Sequence, residues 1–192
     1  MSACHAYLVD FDGTLADTGT ANYLAYSGAL SEIGVSLGRQ EFDRIAFGRN
    51  WRQFLPSILQ EHGCSQDPAA VAARKVELYR EAAGKVSFNE ALVFLLKNKG
   101  EAIKSALVTS ASAANVNAAF AGRPELQNLF EVVVTGDDVS RHKPDPQGYA
   151  MAATSLGVAP ENCLVFEDSD IGVLAAQAFG ARVLRISFLC SP

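Results

Sequence analysis

The stretch that decides the fold spans residues 8–18 and reads Leu8-Val9-Asp10-Phe11-Asp12-Gly13-Thr14-Leu15-Ala16-Asp17-Thr18. The apolar run Tyr7 to Val9 predicts a short buried strand, which ends in two carboxylates, Asp10 and Asp12. Gly13 lets the chain turn tightly, because glycine adopts backbone angles that other residues avoid. Ligands of open α/β sheets bind beyond the carboxyl ends of the strands, so both acids are predicted to point into a site.

The spacing of the two acids indicates phosphoryl chemistry. One Asp carboxylate can attack phosphorus and form an aspartyl-phosphate. A carboxylate two residues later can protonate the leaving oxygen and then activate the water that hydrolyses the intermediate. Acids this close repel each other and the phosphate, so a divalent cation is required, and Mg²⁺ suits their oxygens. Taken alone, however, an Asp-x-Asp-Gly segment is better explained as an acidic turn that caps the next helix.

The rest of the chain divides into two patterns. Residues 18–84 read as helices throughout, with no strand. From residue 85 onward helices and strands alternate, which predicts a parallel sheet with helices on both faces. We therefore predict an α/β, Rossmann-like core from residues 1–17 and 85–192, with residues 18–84 inserted as an all-helical cap domain. A capping box at Ser87–Glu90 predicts the first helix after the cap, with Leu92, Leu95 and Leu96 facing inward.

The predicted strands deliver further polar residues to the same sheet edge. Thr109 and Ser110 offer hydroxyls and backbone N–H groups to phosphate, Lys143 offers a positive charge, and Glu167-Asp168 would complete a Mg²⁺ site. Each feature alone has a structural explanation: a helix N-cap, a solvated loop lysine, or an acidic first turn that complements the helix dipole. The β/α order of the chain brings all four features to one edge of the sheet. Separate structural explanations do not account for their occurring together, so a shared site is predicted.

These four motifs resemble those of the haloacid-dehalogenase-like hydrolases, in the branch with a helical cap inserted after the first strand. The resemblance covers essentially the whole chain and implies a role for each motif residue. The implied catalytic residues are the nucleophile Asp10, the acid/base Asp12 and Lys143. The implied phosphate ligands are Gly13, Thr14, Thr109, Ser110 and Lys143, and the implied metal ligands are Asp10, Glu167, Asp168 and the backbone carbonyl of Asp12.

Within that branch, the chain resembles the β-phosphoglucomutase-like group and its short phosphatases acting on sugar phosphates such as fructose 1-phosphate. The mutases have a cap-side His where this chain has Asn22, and an amide can neither titrate nor carry positive charge. The Pro-Gly common at re-entry into the core is absent from residues 86–89. Asn22, Arg49 and Arg52 are the predicted cap contacts with the substrate, although an exposed helix arginine explains either arginine as well.

The sequence therefore predicts a Mg²⁺-dependent phosphomonoesterase acting on a small phosphorylated metabolite of the sugar-phosphate type. The first alternative is a sugar-phosphate mutase, which passes the aspartyl-phosphate to a second hydroxyl. The second is a non-catalytic phospholigand-binding protein on an enzyme-derived fold, although such a protein should have lost Asp10 or Asp12.

Composition excludes several other classes of protein. The chain has 192 residues, 49% hydrophobic and 19% charged, and its net charge of −5 argues against a nucleic-acid surface. It contains no apolar stretch of membrane-spanning length and no signal-peptide pattern. The spacing of the four cysteines predicts neither a zinc site nor a disulfide framework: Cys4, Cys64, Cys163 and Cys190. This pattern indicates a protein of the reducing cytoplasm. A small metabolite is the predicted partner, and a monomer is expected, although the sequence does not determine the oligomeric state.

Overall fold

A five-stranded parallel sheet lies at the centre of the computed structural model, which describes residues 3–83, 86–186 and 188. The strands are β1 (Ala6–Val9), β2 (Ala16–Asp17), β3 (Ser87–Phe88), β4 (Lys104–Val108), β5 (Val132–Val134), β6 (Cys163–Glu167) and β7 (Arg182–Arg185). The sheet has the order β5-β4-β1-β6-β7, which confirms the predicted parallel architecture. Because β1 is central, its carboxyl end lies between those of β4 and β6, where the crossovers change direction.

Helices cover both faces of the sheet, as predicted. The helices are α1 (Gly19–Ser31), α2 (Arg39–Ile45), α3 (Leu55–Glu61), α4 (Pro68–Ala83), α5 (Glu90–Lys97), α6 (Ala113–Phe120), α7 (Gln147–Leu156) and α8 (Asp170–Phe179). Successive residues of β1 point to opposite faces: Val9 packs with α5 and α6, whereas Leu8 packs with α7 and α8. The sheet is therefore packed by a separate apolar layer on each face, and these layers hold in place the strands whose carboxyl ends carry the predicted site residues.

The segment between β2 and β3 forms helices α1 to α4 and short turns, with no strand in its described part. It has its own apolar cluster, built around buried residues such as Leu30, Phe42 and Leu55. A smaller cluster of Ala21, Tyr79 and their neighbours packs it against α6 of the core. The division into core and cap at residues 17/18 and 84/85 stays a prediction, and its second boundary lies outside the described residues. We call residues 18–84 the cap.

The connection back into the core differs from the prediction. Ser87 and Phe88 pair antiparallel with Ala16 and Asp17, so these two residues are a strand and not the start of a capping box. The N-cap of α5 is instead Asn89, whose side chain accepts a hydrogen bond from the backbone N–H of Leu92 at 3.2 Å. The buried residues of α5 are Leu92, Val93 and Leu96, whereas Leu95, predicted to face inward, is 37% exposed.

None of the helices in the described ranges combines the length and the apolar character that crossing a bilayer requires. The three cysteines in those ranges, Cys4, Cys64 and Cys163, are free. Cys190 lies outside the described residues.

Candidate active site

The loop after β1 presents Asp10 and Asp12 and turns at Gly13. The backbone N–H of Asp10 donates to the carbonyl of Phe166 on β6 at 3.0 Å, which fixes Asp10 against the neighbouring strand. Gly13 has a φ of +84°, and a Cβ at this position would lie 2.8 Å from Cγ of Asp168. A side chain at position 13 is therefore disfavoured both by backbone conformation and by space, so Asp168 can approach the loop closely.

Lys143 joins the acids of two strands into one cluster. Its buried Nζ donates to Oδ1 of Asp10 at 2.6 Å, to Oε1 of Glu167 at 2.7 Å and to the carbonyl of Val108 at 3.2 Å. Burial disfavours the ammonium, but the charge of Asp10 and the further influence of Tyr149 and Glu167 raise the pKa of Lys143 well above its ordinary value. We name Asp10, Lys143, Glu167 and Asp168 the sheet-edge cluster.

Glu167 uses both carboxylate oxygens within the protein. Oε1 accepts from Lys143 and, at 3.1 Å, from the hydroxyl of Tyr149. Oε2 accepts from the backbone N–H groups of Asp168 and Ser169, both at 2.9 Å, and from the Ser169 hydroxyl at 3.0 Å. A carboxylate has about four lone-pair positions. We therefore expect Glu167 to orient Lys143 and to add negative charge, leaving direct ligation of a cation to Asp10 and Asp168.

The sheet-edge cluster fits a divalent cation. Carboxylate oxygens of Asp10, Glu167 and Asp168 lie within 4.8 Å of one another, so three acids face one lysine. Burial and the charge of Glu167 raise the pKa of Asp10 well above its ordinary value, and the same two causes raise the pKa of Asp168 to about 6. Burial is the larger cause of both shifts, and the neighbouring negative charge adds to it. The carboxylate oxygens of Asp10 and Asp168 are hard ligands of the kind that divalent cations such as Mg²⁺ prefer, and Glu167 adds negative charge beside them.

Asp12 faces the cap and not the sheet-edge cluster. Its Oδ1 accepts hydrogen bonds from the hydroxyl of Thr18 and, at 3.1 Å, from Nδ2 of Asn22 on α1. Its Oδ2 lies 3.4 Å from the donating hydroxyl of Thr109, at the end of β4. The structure therefore brings Asn22 and Thr109, both predicted site residues, to the same carboxylate.

The remaining predicted phosphate ligands lie in or near the loop that follows β1. The Thr14 hydroxyl donates to Oδ1 of Asp168 at 3.1 Å. Thr109 Oγ1 accepts from the backbone N–H of Ala111 at 3.0 Å, so this hydroxyl is engaged within its own turn as well as with Asp12. Ser110 is buried and lines the cavity described next.

A cavity of about 220 Å³ separates the cap from the sheet edge. Asp12 and Ser110 line it from the core, and Asn22, Arg49 and Lys75 line it from the cap; its wall also includes Tyr26, Phe42, Phe47, Asn50, Trp51, Ser112 and Asn115. Of the two predicted cap arginines, Arg49 therefore reaches the cavity. The guanidinium of Arg52 instead lies over the ring of Trp51, with 4.4 Å between its Cζ and the ring centroid.

Lys75 is the functional candidate that the sequence interpretation missed. Its Nζ donates to Oδ1 of Asn22 at 2.6 Å and lies 4.4 Å from the ring centroid of Tyr79. Burial lowers the pKa of Lys75 from 10.5 to about 7, although Asp12 opposes this shift. Its position on the inward stripe of α4, which includes Val71 and Tyr79, is the signal that could have revealed it. We name Asn22, Arg49 and Lys75 the cap wall.

The contact from Lys75 changes one step of the sequence argument. Asn22 itself cannot carry charge, but its amide links the Lys75 ammonium to Oδ1 of Asp12. The titratable Lys75 is thus connected to the predicted acid/base, Asp12, through the side chain of Asn22. The absence of His at position 22 therefore does not by itself distinguish a phosphatase from a mutase.

Comparison with known proteins shows the family to which the chain belongs. Residues 7–186 match the family model described as haloacid dehalogenase-like hydrolase. The chain is 30% identical over 182 residues to the fructose-1-phosphate phosphatase YqaB of Escherichia coli, covering 95% of this chain and 96% of that protein. It is 34% identical over 184 residues to a phosphorylated carbohydrates phosphatase of Thermotoga maritima, covering 91% and 81%. A crystal structure of CbbY from Rhodobacter sphaeroides in complex with phosphate superposes with a TM-score of 0.84 at 26% identity, covering 94% of this chain and 84% of that one.

Proposed function

Because the chain belongs to the haloacid dehalogenase-like hydrolases, we propose that it is a Mg²⁺-dependent phosphomonoesterase acting on a small sugar phosphate. The observation that carries the proposal is the arrangement of the two acids. Asp10 lies in the charged sheet-edge cluster, whereas Asp12 lines the cavity under the cap. Two relatives that are 30% and 34% identical to this chain are named as phosphatases of phosphorylated carbohydrates.

In the proposed reaction, Asp10 is the nucleophile. An oxygen of its carboxylate attacks phosphorus and the bond to the ester oxygen breaks, giving an aspartyl-phosphate and the free alcohol. Lys143, which contacts Oδ1 of Asp10 at 2.6 Å, orients this carboxylate and offsets the charge that accumulates as the phosphate enters. The backbone of Gly13 and Thr14, the Thr109 hydroxyl and Ser110 are the proposed phosphate ligands.

Asp12 is the proposed acid and base. Its carboxyl group gives a proton to the leaving alcohol and then accepts one from the water that cleaves the aspartyl-phosphate. Thr18 and Asn22 hold Oδ1 from the cap side, so the orientation of Asp12 depends on where the cap lies. Closing the cap over the substrate would exclude bulk water during the first transfer.

Mg²⁺ is the proposed cofactor. Asp10 and Asp168 would hold it, with the backbone carbonyl of Asp12 as the further ligand that the family resemblance implies. When bound, the cation would screen the repulsion between phosphate and carboxylates and stabilise the charge of the transition state. Chelation should abolish activity and Mg²⁺ should restore it, whereas Ca²⁺ should support poor turnover because its bonds are longer and its geometry is looser. Full activity in excess chelator would contradict the assignment.

The substrate class follows from the cavity. Its volume of about 220 Å³ suits a small polar molecule, and its wall combines amides and hydroxyls with the cations Arg49 and Lys75 and with aromatic rings. Amide and hydroxyl groups can pair with sugar hydroxyls, and rings can pack against the apolar faces of a sugar. A panel of phosphorylated metabolites assayed with Mg²⁺ for phosphate release tests this class, and failure of every sugar phosphate in the panel would exclude it.

The mutase alternative remains open because Lys75 reaches the amide of Asn22. Phosphorus NMR on β-glucose 1-phosphate with a bisphosphate primer separates the two reactions. A phosphatase releases inorganic phosphate stoichiometrically with no migration between carbons. Build-up of glucose 6-phosphate faster than free phosphate would favour the mutase.

Two further assignments belong to the same proposal. We assign residues 1–17 and 85–192 to the catalytic core and residues 18–84 to the cap, because the cap has a separate apolar cluster. We also propose a cytoplasmic enzyme, since the cysteines in the described ranges are free thiols.

A further inference from the structure

A short 3-10 turn of the cap, Trp51–Gln53, begins with a capping box made of two amides. Oδ1 of Asn50 accepts from the backbone N–H of Arg52 at 3.1 Å. Oε1 of Gln53 accepts from the backbone N–H of Asn50, also at 3.1 Å. These two bonds use the acceptor ends of both amides and satisfy N–H groups that the turn itself leaves unpaired.

The donor ends of the same amides reach across to the core. Nδ2 of Asn50 donates to the carbonyl of Ser110 at 3.1 Å, and Nε2 of Gln53 donates to the carbonyl of Lys143 at 3.0 Å. Ser110 follows β4, and Lys143 is the central cation of the sheet-edge cluster. Both acceptors are therefore backbone atoms of residues proposed to bind phosphate.

The core leaves room for this contact at Gly136, in the loop after β5. A Cβ on Gly136 would lie 2.6 Å from Nδ2 of Asn50 and closer still to the carbonyl oxygen of Ser110. Asn50 is only 2% exposed, so its amide is enclosed where cap and core meet. A buried amide left without its partner is costly, so losing this hydrogen bond would destabilise the arrangement in which cap and core are in contact.

We propose that Asn50 and Gln53 are positioning residues that latch the closed cap onto the carbonyls of Ser110 and Lys143. An amide suits this task because it accepts and donates at once. A carboxylate in the same place would complete the capping box but would have no hydrogen to donate across the cleft. Closing the cap would thus be coupled to the placement of Ser110 and Lys143. The expectation that the latch affects turnover rests on the proposed phosphatase function.

The isosteric variants Asn50→Asp and Gln53→Glu separate latching from capping. Both keep the oxygen that caps the turn, and both replace the donor that crosses the cleft with an acceptor facing a carbonyl. Trp51 is the only tryptophan of the chain and lies within this turn, so its fluorescence reports opening directly. Gln60→Glu is the control for each single variant, because it adds the same one negative charge to an exposed position of the cap, and Gln40→Glu/Gln60→Glu is the control for the double variant.

In the double variant Asn50→Asp/Gln53→Glu, the acrylamide quenching constant of Trp51 should rise about twofold or more as the closed population falls. The kcat/KM for an aryl phosphate should fall about fivefold for each lost hydrogen bond. Gln60→Glu and Gln40→Glu/Gln60→Glu should match wild type in both measurements. Far-UV circular dichroism should show that all variants are folded, and Gln53→Glu alone provides the test if the double variant is not.

Wild-type quenching and wild-type kcat/KM in the folded variants would overturn the latch. So would a defect in Asn50→Ala that is absent from Asn50→Asp, since capping alone would then explain the residue. The quenching measurement needs no turnover. If the wild-type protein hydrolyses no phosphate ester, the proposed function fails while quenching still decides whether the latch exists.

Discussion

The sheet-edge cluster and the cap wall are built from opposite kinds of interaction. In the cluster, Lys143 is paired at 2.6 Å with Asp10 and at 2.7 Å with Glu167, and every member lies at the end of a core strand or in a core loop. In the cap wall, the buried Lys75 donates to the neutral amide of Asn22 and lies over aromatic rings. The cluster has the charges that phosphate chemistry needs whatever the ester, whereas the cap wall has groups suited to the organic part.

Asp12 lies at the junction of the two regions. Thr109 contacts it from the core, and Thr18 and Asn22 contact it from the cap side. The comparison therefore predicts that damage to the cluster removes catalysis for every substrate, that damage to Asp12 slows proton transfer, and that damage to the cap wall changes selectivity.

The largest effect is expected at Asp10. Asp10→Asn keeps the shape of the side chain but removes the attacking charge, so turnover should fall by about 10⁴-fold or more for sugar and aryl phosphates alike. Initial rates of phosphate release measure it. Asp43→Asn, an exposed substitution on the cap, should retain wild-type rates. Near-normal turnover by purified Asp10→Asn would rule out an aspartyl-phosphate at this residue.

A smaller loss is expected at Asp12. Asp12→Asn leaves the nucleophile intact but removes the proton donor and acceptor, so kcat should fall roughly 10²- to 10⁴-fold. The loss should be least for an aryl phosphate with an acidic leaving group, which needs little protonation. The control is Asp17→Asn, at an exposed position of the β2–β3 ribbon. Equal losses in kcat/KM, which reports the first phosphoryl transfer, for good and poor leaving groups would contradict the role of Asp12 as proton donor.

The two cap arginines provide a sharper test of the cap wall. Arg49→Ala should lower kcat/KM roughly tenfold for the preferred sugar phosphate and have little effect on a small aryl phosphate, because remote contacts position the reacting group. Arg52→Ala is the matched control, since its guanidinium lies over Trp51 and does not line the cavity. Similar losses for both variants would mean that cap stability and not substrate contact is affected.

The smallest effect concerns the pH dependence of stability. Lys75 has a pKa of about 7 when folded and an ordinary value of 10.5, so between these values the unfolded chain binds more protons. Its contribution to the free energy of unfolding therefore rises with pH across this window, by at most about 1.4 kcal/mol per pH unit. Lys75→Met should remove this rise. Urea denaturation of both proteins at pH 7 and 9 measures it, and a difference between them that does not change with pH would refute a lowered pKa for the buried Lys75.

Much of the core was predictable because local signals and global architecture agree. Apolar runs that end in Asp10, Thr109 and Glu167 mark strands, and carboxyl ends of parallel strands meet at one edge. The connection back from the cap was not predictable in the same way. Ser87 and Phe88 have a sequence that suits a helix start, but pairing with Ala16 and Asp17 holds them extended. A two-residue strand has too few residues to show a period of its own.

What the sequence determined by itself is the set of chemical groups at the sheet edge and their order along the chain. What only the tertiary structure decided is how those groups share their oxygens and donors. Glu167 is occupied by Lys143, Tyr149 and its own helix start, and Lys75 reaches an asparagine 53 positions away. Periodicity indicates which side of a helix is buried, but the partner of a buried polar group depends on how cap and core pack together, and side-chain packing across the cleft leaves no periodic trace in the chain.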